Sequence, residues 1–338
     1  MKILKYIIVF ILILSSIVGA QESKYGGAFL ELGIGPRALG MGSAYAALAE
    51  GGSGFYWNPG GAAFGQQIQV SAMYANLFNS LENHGFVGFS LPLFGGATVG
   101  GSWIRLAVDD IPRYYDPDLT RTWQERNGPN SGLQLTDPSS GSFAFSNNAY
   151  VLTFSRLTRW DWDFGWQYFK LPVDVGYGLN FKFINMQLDN RSASGIGVDA
   201  GIRIKLGLDN LFADDNYGKL SFGISAQDLF NTKLTWDTDS KHSDTIERNW
   251  RFGFAISQPL KFARSDLLLA YEIDTRYDTS NHFGLELNYQ KLFAVRIGSN
   301  NGEFTTGAGV SYWHIRADYA FQIQDLGNSH RVGLAVEL

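Results

Sequence analysis

Apolar and polar residues alternate along most of this chain, from about residue 67 to the C-terminus. In residues 195–206 every even-numbered position is apolar, namely Ile196, Val198, Ala200, Ile202, Ile204 and Leu206. The odd-numbered positions are glycine or charged, namely Gly195, Gly197, Asp199, Gly201, Arg203 and Lys205. Because successive side chains of a β-strand point to opposite faces, this period of two predicts strands with one apolar and one polar face. The chain is therefore predicted to be all-β.

Segments of this kind recur along the chain, and most are separated by polar connections; the turn at Trp313-His314 is faint. The predicted strands are 67–75, 84–92, 97–108, 147–156, 174–188, 195–207, 218–227, 248–257, 266–275, 282–289, 292–299, 303–312, 314–323 and 330–338. They number fourteen, and an even number is typical of bacterial membrane barrels.

Two architectures fit this alternation, a soluble sandwich with its apolar face inside and a membrane barrel with its apolar face outside. Many of the segments run nine to thirteen residues, which suits a tilted membrane strand better than a soluble one. Their polar faces carry glycine and charges of both signs, as a barrel lumen does. The sequence thus favours a transmembrane antiparallel β-barrel of about fourteen strands at 67–338, with outer-membrane lipid around it.

The N-terminus predicts export. Lys2 and Lys5 precede an apolar run over 6–14, and small residues follow at Val18-Gly19-Ala20. This order is typical of a secretory signal peptide, here 1–20, cleaved before Gln21. The apolar run is shorter than the ~20 residues of a spanning helix. We therefore expect a multi-pass protein of the outer membrane of a Gram-negative bacterium.

Loop lengths give the strand directions. If the N-terminus is periplasmic, the two longest polar connections, 109–146 and 228–247, lie outside the cell, where barrels carry their long loops. The short connections 92–96 and 290–291 then lie on the periplasmic side. Segment 157–173 reads as a strand of its own and would break this parity. We interpret it as an elaborated periplasmic connection or as an extension of its neighbouring strands.

Several functional classes are disfavoured. The chain has no Cys, which excludes disulfides and thiolate chemistry. Its net charge is -5, or -7 once Lys2 and Lys5 are removed, so nucleic acid is not an expected partner. The His residues are scattered, and neither H-E-x-x-H nor G-x-S-x-G occurs. We expect no enzymatic activity, no cofactor and no metal.

Residues 21–66 differ from the barrel, because they are rich in glycine and lack the alternation. They also contain many apolar residues, among them Phe29, Leu39, Met41, Phe55 and Trp57. A disordered arm would be poorer in such residues. This segment is therefore predicted to fold into the lumen as a hatch.

The hatch contains the most specific motif of the chain, "GIGPRALGMGSAYAALAEGGSGFYWNPGGAA" at 33–63. It closely resembles the opening of the PorV/PorQ family of outer-membrane proteins, distant relatives of the FadL transporters of hydrophobic compounds. The matching hatch residues include Gly35, Arg37, Gly40, Gly42, Tyr56, Trp57, Asn58 and Pro59. Residues 317–338 resemble the closing hairpin of the family. Gly60 departs from the usual alanine after Asn-Pro, and segment 157–173 has no counterpart in the family.

This resemblance implies a FadL-like barrel with a hatch, and it leaves three functions open. PorV/PorQ members serve type IX secretion or cell-surface assembly, with secretion components and secreted cargo proteins as partners. FadL-like relatives take up long-chain fatty acids or other hydrophobic small molecules through the lumen. A purely structural barrel without cargo is the third. The hatch motif favours the first.

Charged residues on the predicted lumen faces are the remaining candidates for a site. They are Asp199, Arg203, Lys205, Arg251, Glu272, Asp274, Glu286, Arg296, Arg316 and Asp318. Because buried charges need partners, we expect them to neutralise one another. For the same reason, Arg37 is expected to pin the hatch to the wall. A conducting path and an anionic ligand at Arg37 are the alternatives.

Overall fold

The structure is a computed structural model that describes residues 26–78, 81–113, 122, 141–163, 165, 170–324 and 327–338. The predicted signal peptide, 1–20, lies outside these residues. The first eight strands are Gln69–Leu77 (β1), Glu82–Pro92 (β2), Ala97–Pro112 (β3), Ser142–Asp163 (β4), Lys170–Leu188 (β5), Arg191–Gly207 (β6), Lys219–Gln227 (β7) and Thr232–Trp236 (β8). The others are Ser243–Ile246 (β9), Asn249–Leu260 (β10), Ser265–Asp274 (β11), Ser280–Tyr289 (β12), Phe293–Asn300 (β13), Glu303–Tyr312 (β14), Ile315–Gln322 (β15) and Ser329–Glu337 (β16).

Fourteen of these strands form a closed antiparallel barrel. Each pairs with its neighbour in the chain, except that β7 pairs with β10, and β1 pairs with β16 to close the ring. The prediction of a fourteen-stranded antiparallel barrel is confirmed. Each predicted strand overlaps one strand of the ring.

Side chains alternate between the two faces of the wall as the period of two predicted. Along β1, Met73 and Ala75 are buried on the inner face, whereas Val70 and Tyr74 are exposed on the outer face. The outer face is apolar around the barrel, as illustrated by Phe89, Leu152, Phe181, Ile224, Phe252, Leu269, Val295 and Leu334. This band is the surface that a transmembrane barrel presents to lipid.

The helices are short, namely Pro36–Gly40 (α1), Gly51–Trp57 (α2) and Leu208–Phe212 (α3). Turns of 3-10 helix lie at Ala28–Leu30, Pro59–Phe64, Phe94–Gly96 and Lys261–Ala263. In the part of the chain that the structure describes, no helix combines the length and apolar character needed to cross a bilayer.

Segment 157–173 extends its two neighbouring strands. The pairing of β4 with β5 continues to Asp163 opposite Lys170. In contrast, β3 begins at Ala97, opposite Arg156. The two strands therefore project beyond β3 as a ribbon, with Trp160 and Trp162 exposed on its outer face. Of the two interpretations made from the sequence, the extension of the neighbouring strands is the observed one; residues 164 and 166–169 lie outside the described residues.

The connection 228–247, expected as an outer loop, contains the hairpin β8–β9. This hairpin pairs with the start of β6 through Thr235 and Trp236. Its residues Leu234 and Ile246 are fully buried, and Ile246 lies against Gly27. The hairpin thus folds inward at the end of the lumen that is predicted to face outside the cell. Of the other long connection, residues 114–121 and 123–140 lie outside the described part.

Candidate functional site

Residues 26–66, here called the inner segment, occupy the barrel interior. Their apolar side chains are buried, including Phe29, Ile34, Leu39, Met41, Tyr45, Phe55 and Trp57. Within the segment, the Trp57 indole donates to the Ile34 carbonyl at 3.0 Å, and the Tyr56 hydroxyl donates to the Leu30 carbonyl. The segment therefore folds onto itself while packing against the wall.

The inner segment touches the backbone of the wall at inward-facing glycines. Gly42, at φ 63°, lies where a Cβ would be 2.4 Å from the carbonyl oxygens of Phe283 and Ser299. On the wall side, a Cβ on any of ten glycines would come within 3.3 Å of an inner-segment atom. These are Gly88, Gly176, Gly178, Gly201, Gly223, Gly253, Gly284, Gly298, Gly307 and Gly333. Close backbone approach of this kind requires glycine on the wall.

An ion-pair network fixes α1 to the wall. Arg37 donates to both carboxylate oxygens of Glu286 on β12, Nε to Oε2 at 2.9 Å and Nη2 to Oε1 at 2.8 Å. Its Nη1 reaches Glu50 at 3.0 Å. On the other side of Glu286, Arg296 bridges to Asp318, which also pairs with Arg316. Three predicted cations and two predicted anions thus form one continuous chain of charges.

A second contact uses the backbone of the inner segment. The Glu272 carboxylate accepts from the backbone N–H groups of Tyr45 and Ala46, at 2.8 and 2.6 Å. Arg251 pairs with Glu272 at 2.5 Å, and its guanidinium lies 4.8 Å from the centre of the Trp57 ring. Since both charged groups are buried, each satisfies the other where water is excluded.

Asn58 provides a third contact at the turn after α2. Its side-chain amide donates to the carbonyls of Ala46 and Ile202, both at 2.9 Å. Its Oδ1 accepts from the Gly60 N–H at 3.0 Å. The next residue, Pro59, lies against Gly178 and Gly201 of the wall. The Asn-Pro turn is thereby joined to β5 and β6.

The other predicted residues lie around these contacts. Gly35, at φ 80°, precedes α1 and faces Ser53, and Gly40 contacts Gly307. Arg203 donates to the Ala49 carbonyl at 2.8 Å and lies over the Phe64 ring at 4.3 Å. Lys205 lies 6.0 Å from the same ring.

A further buried cluster was missed by the sequence analysis except for Asp199. Lys182 pairs with Asp199 at 2.8 Å and with Asp228 at 2.6 Å. Asp228 also pairs with Arg276 at 2.7 Å. Lys182 could have been found, because it lies on the inner face of β5 between the exposed Phe181 and Phe183. Asp228 and Arg276 follow the ends of strands, where the alternation gives no signal.

Two carboxylates of the inner segment have shifted pKa values. For Glu50, burial raises the pKa, but Arg37 and Arg203 outweigh it and hold the pKa below its usual 4.5. For Glu31, burial outweighs the nearby Arg276 and raises the pKa above 4.5. Burial also raises the pKa of Tyr56 to about 12, so its hydroxyl remains a donor at neutral pH.

Polar cavities lie on both sides of the inner segment. The one towards the predicted periplasmic end has a volume of about 830 Å³ and is lined by residues such as Glu50, Arg203, Lys205 and Arg316. The one towards the opposite end has about 660 Å³ and is lined by Glu31, Asn249, Arg276 and Gln322, among others. Over the described residues, no group of three or more His, Asp or Glu side chains is arranged to hold a metal ion.

No protein-family model and no curated protein matches the chain. Among solved structures, it is similar to the TodX monoaromatic hydrocarbon channel (a deltaS2 mutant), with a TM-score of 0.40 and 11% identity over 90% of this chain and 97% of that chain. It is also similar to CdiB from Acinetobacter baumannii (0.37, 10%, covering 81% and 60%). A third is the translocator domain of the autotransporter NalP from Neisseria meningitidis (0.32, 11%, covering 80% and 88%). At these scores and identities, the likeness assigns no function.

Proposed function

We propose that this protein is a non-enzymatic outer-membrane barrel of the PorV/PorQ kind, serving type IX protein secretion and the assembly of proteins at the cell surface. The inner-segment motif at 33–63 supports this proposal. Its partners would be components of the secretion machinery and secreted cargo proteins.

The observation that carries the proposal is the attachment of the inner segment to the wall. The inner segment is held by Glu286 of β12, Glu272 of β11 and Ile202 of β6. The hydrogen bond to Glu272 is buried and those to Glu286 and Ile202 are partly buried. Removing one partner of a buried ion pair costs about 3–5 kcal/mol, so opening the lumen would require breaking several such contacts together. A barrel whose lumen is filled in this way would act by binding partner proteins at the surfaces of its two ends, as a docking protein does.

The chemistry of the interior is a second argument. The cavities on either side of the inner segment are lined largely by charged and amide side chains. A cavity lined partly by Leu30, Phe55 and Ile104 has a volume of only about 20 Å³. By comparison, an apolar cavity that binds benzene has a volume of about 150 Å³. A hydrophobic solute would therefore find little apolar volume here.

The wall itself gives a third argument. Where neighbouring strands of the ring pair, they keep one register, with a shift between Val108 and Ile111 of β3. On its other side β6 pairs with β7 from Ala200 onward and with the hairpin β8–β9 at Ala193 and Ser194. A lateral exit towards lipid needs a break in this pairing, because exposed backbone groups in a bilayer must be satisfied internally.

The test is affinity purification of the tagged protein from outer membranes in mild detergent, with mass spectrometry of the proteins and lipids that co-purify. Recovery of export components, or of secreted proteins that share a C-terminal sorting domain, is expected. An empty barrel of the same size from the same membranes serves as the control.

Uptake of fatty acids or other hydrophobic compounds is the alternative function. Uptake would require the inner segment to move so that the two polar cavities become connected. The segment lies between these cavities, so its displacement would connect them. A barrel purified without protein partners but with bound fatty acid or hydrocarbon would replace the first proposal with this one. A barrel purified with neither protein partners nor a bound hydrophobic compound would favour the third function, a purely structural barrel without cargo.

A further inference from the structure

Arg331 of β16 is buried with most of its donors unused. The residue is 1% exposed, and its Nη1 donates to the carbonyls of Leu32 and Gly33 at 2.5 and 3.5 Å. Its Nε and Nη2 are buried without a hydrogen-bond partner. A buried guanidinium with two free nitrogens is costly, since the charge has lost its water.

The other buried arginines of the interior each have a carboxylate. Arg37 and Arg296 share Glu286, Arg251 has Glu272, and Arg276 has Asp228. Even Arg203 lies 3.8 Å from Glu50. Arg331 forms no ion pair with any residue of the chain, taken over the residues that the structure describes.

His84 of β2 lies two strands away from Arg331 on the same inner face of the wall. Both Arg331 and His84 are paired in register with Ala75 of β1, one from each side. All three are buried on the inner face. Ala75 carries only a methyl group, so the residue between Arg331 and His84 in the sheet has a small side chain. Both ring nitrogens of His84 are buried without a partner.

The free donors match an anion. Nε and Nη2 lie on one edge of the guanidinium and form the fork that binds two oxygens. Arg37 uses this same pair of nitrogens on Glu286, at 2.9 and 2.8 Å. An imidazole N–H adds a third donor in either tautomer.

We propose that Arg331 and His84 form a binding site for a small monovalent anion, a carboxylate or chloride, where β16, β1 and β2 meet the inner segment. The anion supplies the negative charge that the protein provides to the other buried arginines. Because Arg331 also holds the carbonyls of Leu32 and Gly33, occupancy of the site stabilises the inner segment in its seat. The site is independent of the proposed role in secretion.

The direct test is crystallisation of the wild-type protein from sodium bromide, with measurement of anomalous scattering. The expected result is a bromide peak within about 3.5 Å of Arg331 Nε or Nη2. No peak at this position at about 0.5 M bromide (a value on the order of that used to saturate millimolar sites), together with no rise in Tm in acetate, would overturn the proposal.

The second test follows heat unfolding of the barrel by its shifted migration on gels, at constant ionic strength, in sodium gluconate, chloride or acetate. Gluconate is the reference, because its six-carbon chain is too large for a site between side chains this buried. Chloride or acetate is expected to raise the apparent Tm of the wild type by a few degrees. Arg331→Met and His84→Phe should abolish or reduce that rise, whereas Lys219→Met, which removes an exposed lumen cation, should retain it.

Acetate and chloride distinguish the two kinds of ligand that the site could bind, a carboxylate and a halide. A rise with acetate alone identifies a carboxylate ligand, and a rise with chloride alone identifies a halide; each supports the site. A bromide peak with identical Tm in all three salts would mean an adventitious ion only and would overturn the proposal. If Arg331→Met does not fold, the wild-type salt series and the bromide peak still decide.

Discussion

Arg37 and Glu286 form a two-pronged, largely buried ion pair across 249 residues of sequence. The guanidinium belongs to the inner segment and the carboxylate to β12, so this pair joins the two parts of the fold. Arg296 holds the same carboxylate from β13 at 2.5 Å. Glu286 is therefore the shared anion of two buried cations.

Glu286→Gln is expected to destabilise the barrel by about 3–5 kcal/mol, because it removes the carboxylate that two interior arginines share. Arg37→Met should cost less, about 1–3 kcal/mol, since Glu286 keeps its pair with Arg296. Urea unfolding in lipid vesicles, followed by tryptophan fluorescence, measures the change. Arg159→Met, which breaks the exposed pair with Asp174, should cost less than about 1 kcal/mol; an equal loss at both pairs would contradict the expectation.

Gly42→Val is expected to displace the inner segment while leaving the wall paired, because any Cβ at Gly42 meets two wall carbonyls. The variant should then conduct ions in planar bilayers, whereas the wild type should be silent. Gly85→Val is the matched control, since a Cβ at Gly85 meets nothing within 4 Å. If the Gly42→Val barrel folds normally and does not conduct ions, the contact between Gly42 and the wall tolerates a side chain and the expectation is contradicted.

Glu50→Gln is expected to remove a pH-dependent part of the stability. The folded-state pKa of Glu50 is below its usual 4.5, because Arg37 and Arg203 outweigh burial. Its contribution is therefore present above about pH 4.5 and is lost as the pH falls through the lower folded value. The difference in unfolding free energy between wild type and Glu50→Gln should shrink from pH 7 to pH 3. A difference that grows on acidification would have the wrong sign.

Asn58→Ala is expected to destabilise the barrel, because it removes the donor to the carbonyls of Ala46 and Ile202 and the acceptor of the Gly60 N–H. Each unsatisfied group costs about 1–3 kcal/mol. Asn58→Asp should be at least as damaging, since a carboxylate of the same size cannot donate and would be buried. The exposed Asn76→Ala on β1 provides the baseline in the same urea unfolding measurement. Loss within 0.5 kcal/mol (about the value for surface substitutions) would contradict the expectation.

The barrel wall could be predicted because its signal is local. The inward and outward positions of residues 195–206 follow from the period of two, and the same holds for β1 and for β10–β16. In the connection 157–173, the alternation alone did not fix the structure. Its tryptophans continue the outer face of β4, so periodicity could not tell an extended strand from a new one.

The inward-folded hairpin β8–β9 was not predicted, for a related reason. Its buried residues Leu234 and Ile246 are isolated in a polar connection. Only contact with Gly27 of the inner segment and with the start of β6 makes them a core.

By itself, the sequence determined the number of strands in the barrel wall, the face on which their side chains lie and the presence of a distinct segment before the barrel. These properties depend on the order of neighbouring residues, which strand geometry converts directly into inside and outside. The tertiary structure alone decided which charges meet. Arg37 finds Glu286, Lys182 finds Asp228, and Arg331 finds no carboxylate in the described chain. Such pairings depend on the register of closure and on the seating of the inner segment, and both are set by contacts between residues far apart in the sequence.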